Sequence, residues 1–324
     1  MRWRGQRESQ NVEDRRGQGG GGGFSFPGGG MRFPSGGGRG RGGGIGIVGF
    51  LIILGLMLFF GLDPSTIMQP GPQGDGTSFP DIRLPPQSQP DANNLPGAAP
   101  DSPLSRPESA SEDDLKRFVS VVLANTEDVW TEVLSSHGRS YRDPTLVLFT
   151  GAVRSACGTG MAAMGPFYCP ADEKVYIDLS FYEELRNRFR APGDFAQAYV
   201  IAHEIGHHVQ HLLGIAGQVE AARQNVSERQ GNALQLRMEL QADCLAGVWA
   251  KRAGERDILE EGDIDEALRA ASAIGDDNIQ RRTQGYVVPD SFTHGSAEQR
   301  ARWFRRGYAG GDLNECDTFN AESL

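Results

Sequence analysis

From Ser111 onward the apolar positions fall into helical and strand periods that can be read in turn. Ser111-Glu112-Asp113-Asp114 forms a helix N-terminus, and Leu115, Phe118, Val119, Val122 and Val129 follow at 3.6-residue spacing through Leu134. The run 145–150, TLVLFT, reads as a short strand. The run 174–179, KVYIDL, alternates like an edge or half-buried strand, and Ser180 caps a helix to about Phe189. The stretch between Cys157 and Cys169 is small and glycine-rich and reads as a loop. Pro192-Gly193-Asp194 breaks the preceding helix, and Asp194 with Gln197 offers a capping box for the next. That next helix buries Phe195, Ala198, Tyr199, Ala202, Val209 and Leu212 and ends at Gly214, with a further strongly helical segment at about 230–253. The pattern predicts an α+β, predominantly helical domain over 109–324 with a small β-sheet.

Before residue 109 the periodicity disappears. Residues 45–62, IGIVGFLIILGLMLFFGL, are 18 positions without a charge, which predicts a transmembrane helix. No small-x-small cleavage site follows, so the segment reads as an uncleaved anchor. Residues 1–44 are rich in glycine and arginine and read as a disordered tail, and 63–108, rich in Pro, Gln and Gly, as a linker. The formal charge of -10 is split: eight Arg against three acids give the first 44 residues +5, leaving -15 on the rest. An acidic domain argues against nucleic acid as a partner. Arg32, Arg39 and Arg41 precede the apolar segment and the first basic residue after it is Arg83. The positive-inside rule therefore puts the N-terminus in the cytoplasm and the domain outside it, which predicts a single-pass membrane protein with an extracytoplasmic domain. Cys157, Cys169, Cys244 and Cys316 all lie beyond the anchor, an even count that fits two disulfides in an oxidising compartment. Of three connectivities the reading favours Cys157–Cys169, a short loop worth about 3 kcal/mol, and Cys244–Cys316, which ties the tail to the centre of the domain.

The chemistry is concentrated in His203-Glu204-Ile205-Gly206-His207. On a helix, histidines at i and i+4 lie one turn apart on one face and can converge on one zinc ion, with the intervening glutamate placed as general base. His208 and His211 share the helix, but His211 lies roughly 12 Å along the axis from His203, too far to join both ligands. The metzincin pattern needs Gly and His where Gln210 and Leu213 stand, so that subclass is excluded. A third ligand is expected from the later helical segment. There Glu239 and Asp243 sit at i and i+4 among Leu240, Leu245, Ala246, Val248 and Trp249, where acids without a partner would be costly. Glu239 can complete the ligand set, and Asp243 can accept the free ring N–H of a liganding histidine. The strand 175–179 is a candidate edge for an extended peptide substrate, a core strand being the equal alternative.

HExxH followed by Glu-x-x-x-Asp resembles the gluzincin arrangement of zinc proteases. More narrowly, the blocks SACG at 155–158, GPFYCP at 165–170, VYIDLSF at 175–181, HEIGHHVQ at 203–210, ELQADC at 239–244 and FTHGSAEQR at 292–300 resemble the YpfJ-like bacterial neutral zinc metallopeptidases. The resemblance implies a zincin-like domain in which zinc is held by His203, His207 and Glu239 and a zinc-activated water hydrolyses peptide bonds, with Glu204 as base. It also brings in His294, or Arg300, as a donor to the developing oxyanion, with Tyr286 a weaker candidate. The expected partners are a peptide or protein substrate and the membrane. The competing class is a membrane-anchored scaffold whose zinc only stabilises the domain, which would call for a fourth ligand such as Cys244 or His294.

Overall fold

The computed structural model describes residues 1–17 and 111–324. Within them a four-stranded sheet carries the helices on one face and the β3–β4 hairpin region on the other, an α+β arrangement dominated by helix. In chain order the elements are strand β1 (Val12–Asp14), helix α1 (Glu112–Ser136), strands β2 (Thr145–Phe149), β3 (Ala152–Ser155), β4 (Gly158–Met161), β5 (Phe167–Cys169) and β6 (Lys174–Asp178), then helices α2 (Ser180–Asn187), α3 (Asp194–Leu212), α4 (Ile215–Arg223), α5 (Glu228–Gly254), α6 (Asp263–Ala273), α7 (Asp276–Thr283) and α8 (Ala297–Gly310). Among the described residues no helix is long and apolar enough to cross a membrane; the expected span at 45–62 and the linker at 63–108 lie outside the described residues.

The sheet order is β1-β2-β6-β5, with β1, β2 and β6 parallel and β5 antiparallel to β6. Strand β6 takes the core alternative of its two readings: β2 and β5 flank it, and Val175, Tyr176 and Ile177 are buried. Two sequence expectations change here. The stretch 157–169 is not a plain loop, because β4 pairs with β3 in a hairpin and β5 joins the main sheet. The tail is not disordered throughout. Residues 1–17 are ordered on the domain, with β1 adding Val12, Glu13 and Asp14 beside Leu146, Val147 and Leu148; residues 18–44 lie outside the described residues.

The core lies between the sheet and α1, α3, α5 and α8. Helix α3 is buried along most of its length, with Phe195, Ala198, Tyr199, Ile201, Ala202, Ile205 and Val209 packed into the core. Its close approach to α5 depends on Gly206, since a Cβ there would come within 3.0 Å of the Ala242 carbonyl oxygen. At the next crossing, α5 against α8, Gly247 and Gly307 face each other's backbone, leaving no room for a side chain at either. Both expected disulfides form: Cys157–Cys169 joins the hairpin to β5, and Cys244–Cys316 fastens the C-terminal segment to the middle of α5. The expected capping box of α3 does not form. Gly193 is the N-cap, and the Asp194 carboxylate instead accepts from the Met1 ammonium at 2.7 Å.

Candidate metal centre

Helices α3 and α5 meet where each carries its chemistry. Leu234 to Val248 need no turn or break, so a long helix runs from the capping box of Ser227 and Gln230 and delivers Glu239 and Asp243 one turn apart. His203 and His207 face them from α3, with their rings 4.8 Å apart. His203 Nε2 lies 3.2 Å and His207 Nε2 3.5 Å from Glu239 Oε2. One ligand atom from each of the three residues falls within 4.8 Å of the others.

These separations test the donor set. Zinc bonds of about 2.0–2.1 Å at tetrahedral angles put neighbouring ligand atoms about 3.3–3.4 Å apart. The two measured separations to Glu239 bracket that value, so the carboxylate stands at zinc-ligand distance from both imidazoles. The atoms turned away from the cluster are already taken. His203 Nδ1 donates to Asp243 Oδ1 at 2.8 Å, His207 Nδ1 is 2.9 Å from Gln210 Oε1, and Glu239 Oε1 accepts from Gln235 at 2.7 Å. Those bonds fix both imidazoles with Nε2 facing inward.

Asp243 is fully buried and anchors this outer layer. Besides His203 it accepts from Arg300 Nε at 2.8 Å and Nη2 at 3.0 Å, and from the Tyr199 hydroxyl. Burial pushes its carboxyl up, but Arg300 and then His203 outweigh it and hold the pKa at about 2. Within the cluster, burial pulls His207 down, yet the Glu239 carboxylate overrides it and the pKa rises to about 9. His203 is raised against its burial by Asp243, and Glu239 is held well below the usual carboxylate range by the two histidines. The four groups form an ion network poised to exchange a proton for a cation.

Glu204 is buried on the same helix turn, 8 % exposed, and accepts no hydrogen bond from the described residues. His294 lies at the rim, half exposed, with Nδ1 3.3 Å from Asp276 Oδ1. Asp276 Oδ2 also accepts the backbone N–H groups of Thr293, His294 and Gly295, so one carboxylate shapes the loop that carries His294.

Other candidates are placed elsewhere. Arg300 is not an oxyanion donor: it is buried behind the cluster with its guanidinium committed to Asp243 and Tyr199. Tyr286 is 62 % exposed on the loop after α7. His208 accepts or donates between the Tyr168 hydroxyl, 3.0 Å away, and the Arg142 carbonyl, while His211 approaches Glu173 at 3.5 Å; neither joins the cluster. Cys244 is closed in its disulfide and offers no fourth ligand. Tyr199 and Gln210 are site residues that the sequence reading misses. Both carry a helical signal, four residues before His203 and three after His207, on the faces that meet those rings.

Comparison with known proteins agrees with this geometry. The family model described as "Putative neutral zinc metallopeptidase" matches residues 1–319. The chain belongs to this neutral zinc metallopeptidase family. It is 46% identical to the uncharacterized protein YpfJ of Escherichia coli strain K12 over 319 residues, 98% of this chain and 99% of the relative. The uncharacterized protein Rv2575 of Mycobacterium tuberculosis strain H37Rv is 43% identical over 226 residues, 65% of this chain and 74% of that family member. No solved structure matches. The family match includes the ordered residues 1–17 as well as the helices that carry the cluster.

Proposed function

We propose that the protein is a zinc-dependent peptidase in which His203, His207 and Glu239 hold the metal and Glu204 is the general base. The observation that carries this reading is the pairing of a three-ligand cluster with a carboxylate on the same helix turn, Glu204, that accepts no hydrogen bond from the described residues. Zinc bound there supplies a Lewis acid that polarises a carbonyl and lowers the pKa of water toward neutrality. Glu204 takes the proton of the attacking water and returns it to the leaving amine. Asp243, held by Arg300 and Tyr199, keeps His203 in the tautomer whose Nε2 faces the cluster. His294, oriented by Asp276, sits at the rim where its remaining ring nitrogen can donate to the carbonyl oxygen of the substrate.

The substrate is a peptide or protein segment. Strand β5 is the outer strand of the sheet beside α3, and Tyr168 links it to His208, so an extended peptide added to β5 would run past the histidines. A purely structural zinc site is disfavoured, because such sites close all four positions and Cys244, one of the two proposed fourth ligands, is held in a disulfide. The two disulfides support work in an oxidising compartment.

The test is Glu204→Gln in the full chain. Zinc content should be unchanged while cleavage of a peptide library falls by about 10²–10⁴-fold, the contribution expected of a general base. Turnover equal to that of the parent chain would remove Glu204 from the chemistry.

A further inference from the structure

The sequence pattern assigns residues 1–44 to one side of a membrane and the domain to the other, yet residues 1–17 are built into that domain. Strand β1 is hydrogen-bonded to β2 at both ends, Leu146 N–H donating to the Asn11 carbonyl and Arg15 N–H to the Leu148 carbonyl, each at 2.8 Å. Leu146, Val147 and Leu148 are fully buried, so β1 covers what would otherwise be an open edge of apolar strand.

Side chains make the same contact specific. The Glu127 carboxylate on α1, 6 % exposed, is met by Arg7 at 3.1 Å, by Asn11 at 2.8 Å and by the Ser9 hydroxyl. Arg7 reaches on to Asp128 and to the Ala124 carbonyl, each at 2.7 Å. Lys174 at the start of β6 pairs with Glu13 at 2.9 Å, and Asp14 joins Arg16 and Lys116. Trp3 packs edge-on against Phe118, 5.5 Å between ring centres. Backbone ladder, aromatic contact and buried carboxylate all fix one register for this segment.

We propose that residues 1–17 are an integral strand of the peptidase domain and therefore lie on the same side of the membrane as residues 111–324. A segment crossing a bilayer once separates its two flanks. Eighteen apolar residues suffice for one crossing and fall far short of two. The single-pass topology read from the sequence would put β1 and β2 on opposite sides of the bilayer, which their pairing does not allow. This inference does not depend on the zinc chemistry.

The test uses the full chain in its membrane. All four cysteines are paired, so a single introduced cysteine is the one free thiol. Gln10→Cys in the exposed part of the tail and Ala222→Cys on the exposed face of α4 are each labelled with a membrane-impermeant maleimide, in spheroplasts and after lysis. The two positions should label under the same condition, whichever it is. Labelling of one in intact spheroplasts and of the other only after lysis overturns the proposal. Independently, a chain carrying both Arg7→Cys and Asp128→Cys should give an intrachain link with a short bismaleimide, identified by mass spectrometry. No link, or links between chains only, would also overturn it.

Discussion

Two groups on the motif helix each bring three ligand-type side chains within 4.8 Å: His203, His207 and Glu239 in its middle, and Asp194, Asp263 and Glu266 at its start. Proximity alone does not separate them; what the atoms are already doing does. In the middle group every atom facing away has a partner, and both inward imidazole nitrogens stand at zinc-ligand spacing from the Glu239 carboxylate. At the helix start the carboxylates are occupied. Asp194 and Asp263 accept from the Met1 ammonium, and Glu266 accepts the N–H of Phe195 at 3.1 Å. Burial raises the pKa of both Asp263 and Glu266. Acidic groups at a helix N-terminus complement its free N–H groups and dipole, so the second group acts as an end-cap built from neighbouring elements. The donor chemistry agrees: two imidazoles and one carboxylate suit zinc, whereas three carboxylates suit a harder ion.

The largest expected effect contrasts the two groups directly. Glu239→Ala removes one of three ligands and should leave the purified chain without stoichiometric zinc after dialysis. Asp263→Asn should keep one zinc per chain and lower only the melting temperature. Metal analysis of the two variants decides the matter, and zinc loss in Asp263→Asn with retention in Glu239→Ala would reverse the assignment.

Asp243→Asn asks how much the outer layer contributes. Asn preserves shape but can no longer accept from His203, Tyr199 and Arg300 as an anion, and outer partners of this kind typically account for 10–100-fold in metal affinity. Competition with a chromophoric chelator should give a shift in that range. Stability should fall too, because Arg300 is left buried without its counter-charge. Unchanged affinity would mean that packing alone orients His203.

The unequal legibility of these parts in the sequence has a physical reason. The cluster is legible because helical spacing carries geometry: residues at i and i+4 share a face, which pairs His203 with His207 and Glu239 with Asp243 from local periodicity alone. The disulfides follow from parity and loop length. Arg300 is misplaced because nothing in its own segment signals a guanidinium buried behind a site contributed by α3 and α5. Strand β6 reads equally as an edge or a core strand because its alternation, Lys174 to Asp178, does not say what pairs on either side. The tail is misread for a different reason. Composition averaged over 44 residues is dominated by glycine, which hides a break near Gly17, before which the chain is charged and holds a three-residue strand whose pairing is entirely long-range.

The smallest effect sharpens the comparison without mutation. In metal-free protein the pKa of His207 rises from 6.5 to about 9 because Glu239 holds its proton. A group raised on folding stabilises fully below its unfolded pKa, and that stabilisation is lost as pH climbs through the folded value. With about 1.4 kcal/mol per unit, the ceiling is on the order of 3 kcal/mol. Chelator-treated protein should therefore lose melting temperature between pH 6.5 and 9. With zinc bound, the metal takes the proton's place beside Glu239, and the decline across that window should flatten. The carboxylates at the helix start hold their partners with or without zinc, so they cannot produce a zinc-dependent change in slope. A metal-free protein equally stable at both ends of the window would mean that Glu239 and His207 do not share a proton, and the close approach of their side chains would need another cause.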